Sequence, residues 1–299
     1  MEELIKIIRK NKLGKLLESV SLKIFNTYKL SPQARVIYYT KDIPSLIYVL
    51  TYLKEHNLKY IILGKGSNVI FNFDYYDGMI IKLDYLNSLE INGTTVTVGS
   101  GYSLPKLAMH TAKLGLSGLE FAQGIPGTVG GSIYMNAGAY KKDMGYIVTK
   151  IKVLTPDLKV KTMYNKDLNF HYRTSFLKEH KDYICLEATL KLARQDKEEI
   201  LNLIKTRRAK RLESQPLEYP SAGSVFRNPE NNYAGKLIED LNLKGYNING
   251  AEISTKHANF IINKNKCSGK DIVSLINLIK DKVYEEYKIN LVLEQEIIE

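Results

Sequence analysis

The sequence has little cysteine and histidine, which limits the metal and disulfide chemistry available to it. Only two cysteines, Cys185 and Cys267, occur among 299 residues, and neither lies in a CxxC motif. The five histidines are scattered, without an HExxH motif or any other paired spacing. We therefore expect two reduced thiols, no disulfide and no metal site.

Long apolar runs are also missing from the sequence. No stretch approaches the roughly 18 to 20 consecutive apolar residues that a membrane span requires. The first twenty residues interleave apolar side chains with Glu and Lys at helical spacing, and they contain no uninterrupted apolar core of a signal peptide. We expect an amphipathic helix over residues 1–20, a cytoplasmic location and no membrane partner.

Several nucleotide-binding and hydrolase motifs are absent. The sequence has no GxxxxGK[ST], which excludes a P-loop, and GKGSN (64–68) lacks the third glycine of a dinucleotide fingerprint. It also has no GxSxG motif, which argues against acyl transfer. A net charge of +11 is compatible with nucleic acid or a small anionic ligand. The lysines are spread along the whole chain, however, so we expect a solvated basic surface and no nucleic-acid partner.

What is present is an ordinary globular composition, 44% hydrophobic and 25% charged. In a first region, 1–84, a strand, a helix capped by Asp42 and a second strand predict a β-α-β unit. In a second region, 85–195, Asn92-Gly93 predicts a hairpin and Ser103 is a candidate helix cap. A basic helix then leads into a third region, 196–299.

The third region predicts a layered α and β unit. Its order is a strand (SVF), a helix, two short strands, a long helix opened by the capping box Ser268-x-x-Asp271, and a final strand. A β-α-β-β-α-β order is that of a split-βαβ sandwich.

Two glycine-rich segments are candidates for ligand binding. GKGSN follows a strand and forms either a plain hairpin turn or a nest of N–H groups for phosphate oxygens, with Ser67 and Asn68 as donors. GIPGTVGGSIYMNAGAY (124–140) holds five of the 20 glycines. Its bare backbone lets a bulky ligand approach main-chain amides, while its hydroxyl and amide side chains offer hydrogen bonds. Together the segments predict a dinucleotide cofactor bound without a Rossmann fold.

The predicted cofactor-binding residues all lie in these two segments. They are Gly64, Lys65, Gly66, Ser67, Asn68, Gly124, Pro126, Gly127, Thr128, Gly130, Gly131, Ser132, Asn136, Ala137 and Gly138.

Six motifs, in order along nearly the whole chain, carry a resemblance to a known family. They are GKGSNVIF, GIPGTVGGSIYMNAGAY, YRTSF, PSAGSVFRNP, AGKLIEDLNLKG and KHANFIIN. The chain closely resembles the UDP-N-acetylenolpyruvoylglucosamine reductases, flavoenzymes that complete UDP-N-acetylmuramic acid in bacterial wall synthesis. The short run after YRTSF resembles the subclass without an inserted tyrosine loop.

The resemblance implies an α+β fold in which a two-lobed FAD-binding domain, related to vanillyl-alcohol oxidase and not to Rossmann folds, precedes a smaller split-βαβ substrate domain. The lobes correspond to 1–84 and 85–195, and the substrate domain to 196–299. FAD and NADPH are the implied cofactors, and we expect a monomer.

The resemblance also implies three catalytic residues. Arg173 of YRTSF matches the active-site arginine, and a guanidinium grips a carboxylate bidentately. Ser224 of SAGSVF matches the proton donor. Glu296 matches the C-terminal glutamate, with Glu294 on the same face of the strand as the lesser candidate. The sequence departs from the family pattern at Ile298 and Glu299, where a basic residue and a glycine are expected.

The implied substrate is UDP-N-acetylglucosamine enolpyruvate. NADPH would reduce the flavin, whose N5 then delivers hydride to the β-carbon while Arg173 and Glu296 polarise the carboxylate and Ser224 protonates the α-carbon. The expected substrate-binding residues are Tyr172, Arg211, Asn228, Lys236 and His257. Two alternatives remain open at this point: another FAD-dependent oxidoreductase or oxidase on the same scaffold, and a non-enzymatic binder of nucleotides or nucleic acid.

Overall fold

The chain crosses repeatedly between two separately packed units in the computed structural model, which describes residues 1–299. The first, which we name the large unit, contains Met1–Val20, Ala34–Lys65 and Asp77–Arg208. The second, the small unit, contains Ser21–Gln33, Gly66–Tyr76 and Ala209–Glu299. The sequence boundaries did not anticipate the two early segments of the small unit, which lie within the predicted first lobe.

Helices and strands alternate along the chain. The helices are α1 (Glu2–Lys10), α2 (Ile43–Glu55), α3 (Leu104–Lys113), α4 (Val129–Tyr134), α5 (Phe176–Glu179), α6 (Lys197–Ser214), α7 (Ala234–Asp240) and α8 (Gly269–Tyr287). The strands are β1 (Gly14–Ser21), β2 (Gln33–Thr40), β3 (Tyr60–Ile62), β4 (Val69–Phe71), β5 (Tyr75–Lys82), β6 (Leu89–Asn92), β7 (Thr95–Gly99), β8 (Leu116–Ser117), β9 (Gly138–Ala139), β10 (Lys142–Asp143), β11 (Val148–Leu154), β12 (Val160–Tyr164), β13 (Ile184–Lys191), β14 (Ala193–Arg194), β15 (Asn247–Ile248), β16 (Ala251–Ile253), β17 (Ile261–Asn263) and β18 (Glu296–Ile298). None of the helices is both long and apolar enough to cross a membrane.

The first sheet of the large unit has the strand order β1-β2-β5-β3. Helix α2 begins as predicted, because the Asp42 carboxylate accepts a hydrogen bond from the Ser45 N–H at 2.8 Å and Pro44 lies in the first turn. Its apolar stripe is buried against β2 and β5. The predicted β-α-β unit is present, but β5 is inserted between its two strands and pairs parallel with β3.

The N-terminal helix is shorter than predicted. It ends at Lys10, and Lys12 adopts a left-handed conformation with φ of 52°. The following residues, Gly14–Ser21, form β1 beside β2. The prediction of a helix over residues 1–20 is therefore wrong beyond Lys10, because the backbone groups of β2 require a partner strand and this demand outweighs helical spacing.

The second sheet of the large unit has the order β12-β11-β13-β7-β6, and its pairings are antiparallel. The predicted hairpin is confirmed: Asn92 pairs with Thr95, and Gly93 has φ of +60°. A second hydrophobic core packs between this sheet and helices α3 and α4. Ser103 occupies the N-cap position of α3, although its hydroxyl makes no cap hydrogen bond. The first core draws mainly on residues 1–84 but also contains Leu154, Ile184 and Leu186, whereas the second core lies within residues 85–195.

The small unit combines an antiparallel sheet, β15-β16-β17, with helices α7 and α8. The predicted capping box is confirmed, since the Asp271 N–H donates to Ser268 Oγ at 3.2 Å and the Ser268 N–H donates to Asp271 Oδ2 at 2.7 Å. The strands differ from the predicted order in two respects. SVF (224–226) forms only an isolated bridge, between Phe226 and Leu293, and β18 pairs in parallel with β4 outside the three-stranded sheet.

Candidate active site

The two predicted glycine segments meet in the large unit. A Cβ atom added to Gly64 would lie 3.1 Å from Thr128 Oγ1. The segment from 124 to 140 is not a continuous loop, because helix α4 begins inside it at Val129. Thr128 caps this helix by accepting the Gly131 N–H at 3.2 Å, and Ser132 Oγ donates to the Thr128 carbonyl at 2.8 Å. Both hydroxyls that were expected to face a ligand thus have partners in the protein.

The glycines of these segments are required for two different reasons. An added Cβ on Gly130 would lie 2.9 Å from Ser100 Cβ, and one on Gly138 would lie 2.6 Å from Asp143 Cβ. At Gly66, which has φ of +63°, it would overlap a backbone carbonyl. These three glycines are therefore explained by packing within the protein. Gly64 and Gly131 meet only Thr128 Oγ1, at 3.1 and 3.3 Å, so close ligand approach remains the better explanation there.

A residue that sequence analysis missed lies directly behind α4. The Gly130 N–H donates to the Ser100 carbonyl at 2.8 Å. Ser100 is 2% exposed, and its hydroxyl has no hydrogen-bond partner. A buried hydroxyl without a partner is rare and fits a bound ligand group. Its sequence context, GSGYS, is typical of a turn and gave no signal of binding.

A second residue that sequence analysis missed is Lys82, which contacts the first glycine segment. Its buried ammonium donates to the Gly64 carbonyl and lies 3.4 Å from Asp84 Oδ2. Burial lowers its pKa to about 8, although the Asp84 carboxylate opposes this shift. Lys65, a predicted cofactor ligand, is paired with the same carboxylate at 2.7 Å.

The YRTSF turn is bonded to the second glycine segment within the large unit. Asn136 Nδ2 donates to the His171 carbonyl at 2.8 Å, and Ser175 Oγ donates to the Tyr134 carbonyl at 2.8 Å. Arg173 Nη2 donates to the Gly138 carbonyl at 2.9 Å. The structure therefore brings together two motifs that are separated by more than thirty residues.

Arg173 itself is held in an unusual conformation. Its φ is +57°, which is uncommon for a residue with a side chain and costs conformational energy. The guanidinium carbon lies 5.1 Å from the centroid of the Tyr172 ring. The turn, the ring and the Gly138 carbonyl together fix the direction of the cation.

Asn136 has a structural role that sequence analysis did not assign. Its Oδ1 accepts the Gly145 N–H at 3.0 Å while its Nδ2 binds the His171 carbonyl. Asn136 is 1% exposed and has φ of 42°. Both polar groups of its side chain thus have partners in the protein.

The first glycine segment does not form a hairpin. Its flanking strands, β3 and β4, belong to different sheets. In the small unit, Asn68 Nδ2 donates to the Glu294 carbonyl at 3.0 Å, and the Glu296 N–H donates to the Asn68 carbonyl at 2.9 Å. Through these two hydrogen bonds Asn68, a predicted cofactor-binding residue, also holds the strand that carries Glu296.

Ser224 lies beside this final strand. The Glu294 N–H donates to the Val225 carbonyl at 2.8 Å, and the side chain of Gln295 reaches the Ser224 carbonyl at 3.4 Å. Ser224 and Glu296 are both half-buried. Two of the three predicted catalytic residues therefore lie on adjoining segments of the small unit.

Three predicted substrate-binding residues surround the start of α7. Asn228 Oδ1 accepts the Ala234 N–H at 3.1 Å, and Lys236 pairs with Asp240 one turn along. His257 lies against Gly235, and burial lowers its pKa. Arg211, the fourth small-unit candidate, lies in the last turn of α6.

No other cluster suggests metal or thiol chemistry in residues 1–299. No group of three or more His, Cys, Asp or Glu side chains could hold a metal ion. Cys185 and Cys267 are free and buried.

Comparison with known proteins gives the class first. Residues 34–164 match the family model of the FAD-binding domain, so the chain is an FAD-dependent oxidoreductase built on this α+β fold. The bare backbone of Gly64 and Gly131 and the unpartnered hydroxyl of Ser100 fit a bound cofactor in that domain. Residues 215–298 match the C-terminal domain of UDP-N-acetylenolpyruvoylglucosamine reductase, and the chain belongs to that family.

Individual relatives cover almost the entire chain. The UDP-N-acetylenolpyruvoylglucosamine reductase of Halalkalibacterium halodurans is 42% identical over 299 residues, which is 100% of this chain and 99% of the relative. The Bacillus subtilis enzyme is 41% identical with the same coverage. The crystal structure of the Thermus caldophilus reductase matches with a TM-score of 0.80 and 31% identity, covering 96% of this chain and 99% of that chain. The predicted family, fold class and cofactors, FAD with NADPH as reductant, are thereby confirmed.

Proposed function

We infer that the chain reduces UDP-N-acetylglucosamine enolpyruvate to UDP-N-acetylmuramate with NADPH, through bound FAD, in peptidoglycan precursor synthesis. The observation that supports this proposal is the joining of the arginine turn to the second glycine segment by three hydrogen bonds within the large unit. A cofactor segment and a fixed cation are what reduction of a carboxylate-bearing alkene requires. FAD, when bound, supplies hydride to the β-carbon of the enolpyruvyl group.

Cofactor binding falls to the two glycine segments. We assign close backbone approach to Gly64 and Gly131, where an added Cβ would meet only Thr128 Oγ1, and a hydrogen bond to Ser100, whose buried hydroxyl has no partner in the protein. The other residues of the segments contribute main-chain groups and the packing that holds the segments in place.

The carboxylate of the substrate is the proposed ligand of Arg173. A guanidinium stays charged at any physiological pH and pairs with a carboxylate through two parallel hydrogen bonds. Its anchorage to Gly138 and Tyr172 means that little reorganisation accompanies charge development on the substrate. Tyr172, by the same contact, is a positioning residue as well as a proposed substrate contact.

Proton delivery is the proposed task of Ser224, with Glu296 polarising the carboxyl end of the substrate. The final strand holds both residues in one hydrogen-bonded arrangement. Asn228, Lys236, His257 and Arg211 remain proposed contacts for the nucleotide sugar, whose diphosphate needs cations and donors.

We further propose that the enzyme acts in the cytoplasm as a monomer, without membrane or nucleic-acid partners. NADPH and nucleotide sugars are cytoplasmic metabolites, and the even spread of lysine gives no basic stripe for nucleic acid. Size-exclusion chromatography with light scattering tests the oligomeric state directly, and an apparent mass of twice 34.1 kDa would contradict it.

Ser224→Ala tests the proton donor. Reduction of the flavin by NADPH should proceed at nearly the wild-type rate, because that half-reaction protonates no carbon. Reoxidation by the enolpyruvyl substrate should slow by about 10²–10⁴-fold, which is the usual worth of a general acid. Stopped-flow absorbance of each half-reaction measures both rates.

The matched control is Ser224→Cys, which retains a transferable proton and should recover part of the loss. Equal slowing of both half-reactions would show that Ser224 only shapes the pocket. Reoxidation by dioxygen as fast as by the enolpyruvyl substrate would support an oxidase instead.

A further inference from the structure

A buried glutamine, Gln295, lies between two half-buried glutamates where β18 begins. Gln295 is 3% exposed, whereas Glu294 and Glu296 are partly open to solvent. Gln295 lies in a bend just before β18, and its buried side chain points into the small unit, where its amide makes hydrogen bonds. A buried primary amide needs partners for two donors and an acceptor.

The amide nitrogen of Gln295 contacts three successive carbonyls, the last of which belongs to Ser224, the proposed proton donor. Nε2 lies 3.1 Å from the Ala222 carbonyl oxygen, 3.2 Å from that of Gly223 and 3.4 Å from that of Ser224. Two N–H groups are shared among three acceptors that follow one another in the chain. Gly223 has φ of +77° and no atom within 4 Å of an added Cβ, so this flexible residue is held by the glutamine and not by packing around a side chain.

The partner of its amide oxygen is Tyr28. The phenol donates to Gln295 Oε1 at 3.0 Å. Tyr28 is fully buried, and burial raises its pKa, so the hydroxyl remains a donor. Because the tyrosine donates to the oxygen, the nitrogen of the amide must face the three carbonyls. Tyr28 is fixed in turn, since its carbonyl accepts Asn263 Nδ2 at 2.8 Å.

The other side of Ser224 is fixed by a second buried amide. Asn259 Oδ1 accepts the Phe226 N–H at 3.0 Å, and Asn259 Nδ2 donates to the Phe226 carbonyl at 2.8 Å. The Val225 N–H donates to the Asn259 carbonyl at 2.9 Å. Ser224 thus lies between two peptide segments, each held by a carboxamide side chain.

We propose that Gln295, oriented by Tyr28, is a positioning residue that sets the direction in which the Ser224 hydroxyl delivers its proton. This inference rests on the proposed role of Ser224. Gln295 does not meet the substrate; it fixes the Ala222–Ser224 backbone to the strand that carries Glu296, so the proton donor and the carboxylate keep one relative placement. Removing its N–H groups releases Gly223, and the hydroxyl then samples directions that do not reach the α-carbon.

The test compares Gln295→Met with the wild-type holoenzyme in the two half-reactions. Methionine keeps the length and volume of the side chain and removes only its hydrogen bonds. Reduction by NADPH should stay within about twofold of wild type, and reoxidation by the enolpyruvyl substrate should slow by about 10–100-fold, within the range of general acid catalysis. The solvent deuterium isotope effect on reoxidation should increase, because proton delivery then limits the rate.

Two further variants separate positioning from stability. Tyr28→Phe keeps the ring and removes only the donor to Oε1, so it should slow reoxidation in the same direction but less. Gln33→Met, at an exposed glutamine of the same unit, is the matched control and should change neither half-reaction.

The double variant Ser224→Ala with Gln295→Met tests whether Gln295 acts through Ser224. If Gln295 acts through Ser224, the glutamine substitution adds less than about twofold to the loss caused by alanine alone. A further loss, or slowing of both half-reactions by Gln295→Met, would overturn the positioning role. If Ser224→Ala slows reoxidation and neither Gln295→Met nor Tyr28→Phe does, the inference fails while the proton donor stands. If Ser224→Ala has no effect, the proposed donor itself is wrong.

Discussion

Gly130 and Gly131 are adjacent in the first turn of α4, yet they face different surroundings. An added Cβ on Gly130 would press against Ser100, at 2.9 Å from its Cβ and 3.3 Å from its carbonyl oxygen. One on Gly131 would meet only the hydroxyl of Thr128 at 3.3 Å. The first glycine is required by packing within the protein, and we propose that the second leaves room for the cofactor.

We predict that alanine at Gly130 mainly lowers stability, whereas alanine at Gly131 mainly weakens FAD binding. Gly130→Ala should lower the free energy of unfolding of the apoprotein by about 1–3 kcal/mol, the usual cost of overpacking. Gly131→Ala should leave that free energy nearly unchanged, because alanine favours a helix, and should weaken FAD binding. Thermal unfolding of the apoprotein and fluorescence titration with FAD measure the two effects. Equal destabilisation by both substitutions, with unaltered FAD affinity, would refute the proposal that the cofactor closely approaches the backbone at Gly131.

Helix α8 begins where its backbone almost touches β4. An added Cβ on Gly269 would overlap the carbonyl of Phe71, while the adjacent Ser268 only caps the helix. The close approach therefore depends on a residue without a side chain, and the cap contributes a separate and smaller stabilisation.

For helix α8 we predict that alanine lowers the free energy of unfolding much more at Gly269 than at Ser268. Ser268→Ala should cost about 1 kcal/mol, as the loss of a helix cap usually does. Gly269→Ala should cost about 3 kcal/mol, since neither the β4 backbone nor the helix can shift without breaking hydrogen bonds. Urea denaturation at constant m value measures both changes. A Gly269→Ala protein as stable as Ser268→Ala would show that α8 can move away from β4.

The elements that were predicted correctly are those whose signals are local. Asp42 with Pro44, Asn92 with Gly93, and Ser268 with Asp271 each act within a few residues, so the sequence alone specifies them. The course of residues 14–21 was mispredicted, because β1 exists only as a partner of β2. The pairing of β4 with β18 joins distant parts of the chain, and no local pattern indicates it.

The candidate site shows the same contrast between features with local sequence signals and features that depend on long-range contacts. The motifs and the family were evident from six short segments, whereas the contacts of their side chains were not. Asn68 and Asn136, predicted as cofactor-binding residues, also bind main-chain carbonyls of the protein, which no local pattern indicates. Ser100, Lys82 and Gln295 were missed because burial, and not residue type, gives them their roles.

At the scale of the whole molecule, the small unit is assembled from three separate stretches of chain. Its C-terminal stretch, Ala209–Glu299, contains α7 and α8, but β18 pairs with β4 and Gln295 accepts from Tyr28, both of which come from earlier stretches. We infer that the C-terminal stretch depends on these earlier segments to fold.

We predict that residues 209–299, expressed alone, show no cooperative thermal transition, because β18 and the buried amide of Gln295 then lack partners. Circular dichroism over a temperature ramp measures this, with the full chain as reference. A second polypeptide, in which 66–76 precedes 209–299 through a flexible linker, should regain part of the cooperativity. A sharp transition in the isolated stretch would contradict the prediction.

The parallel pairing of β4 and β18 also determines when the small unit can form during synthesis of the chain. Ribosomes add roughly 5–20 residues per second, so β4 leaves the ribosome on the order of tens of seconds before its partner is made. During that interval the edge of β4 is open, and the strand that carries Glu296 does not yet exist. The strand that carries Glu296 must therefore be made before the small unit closes, and a nascent chain that stops short of residue 296 lacks one of the three proposed catalytic residues.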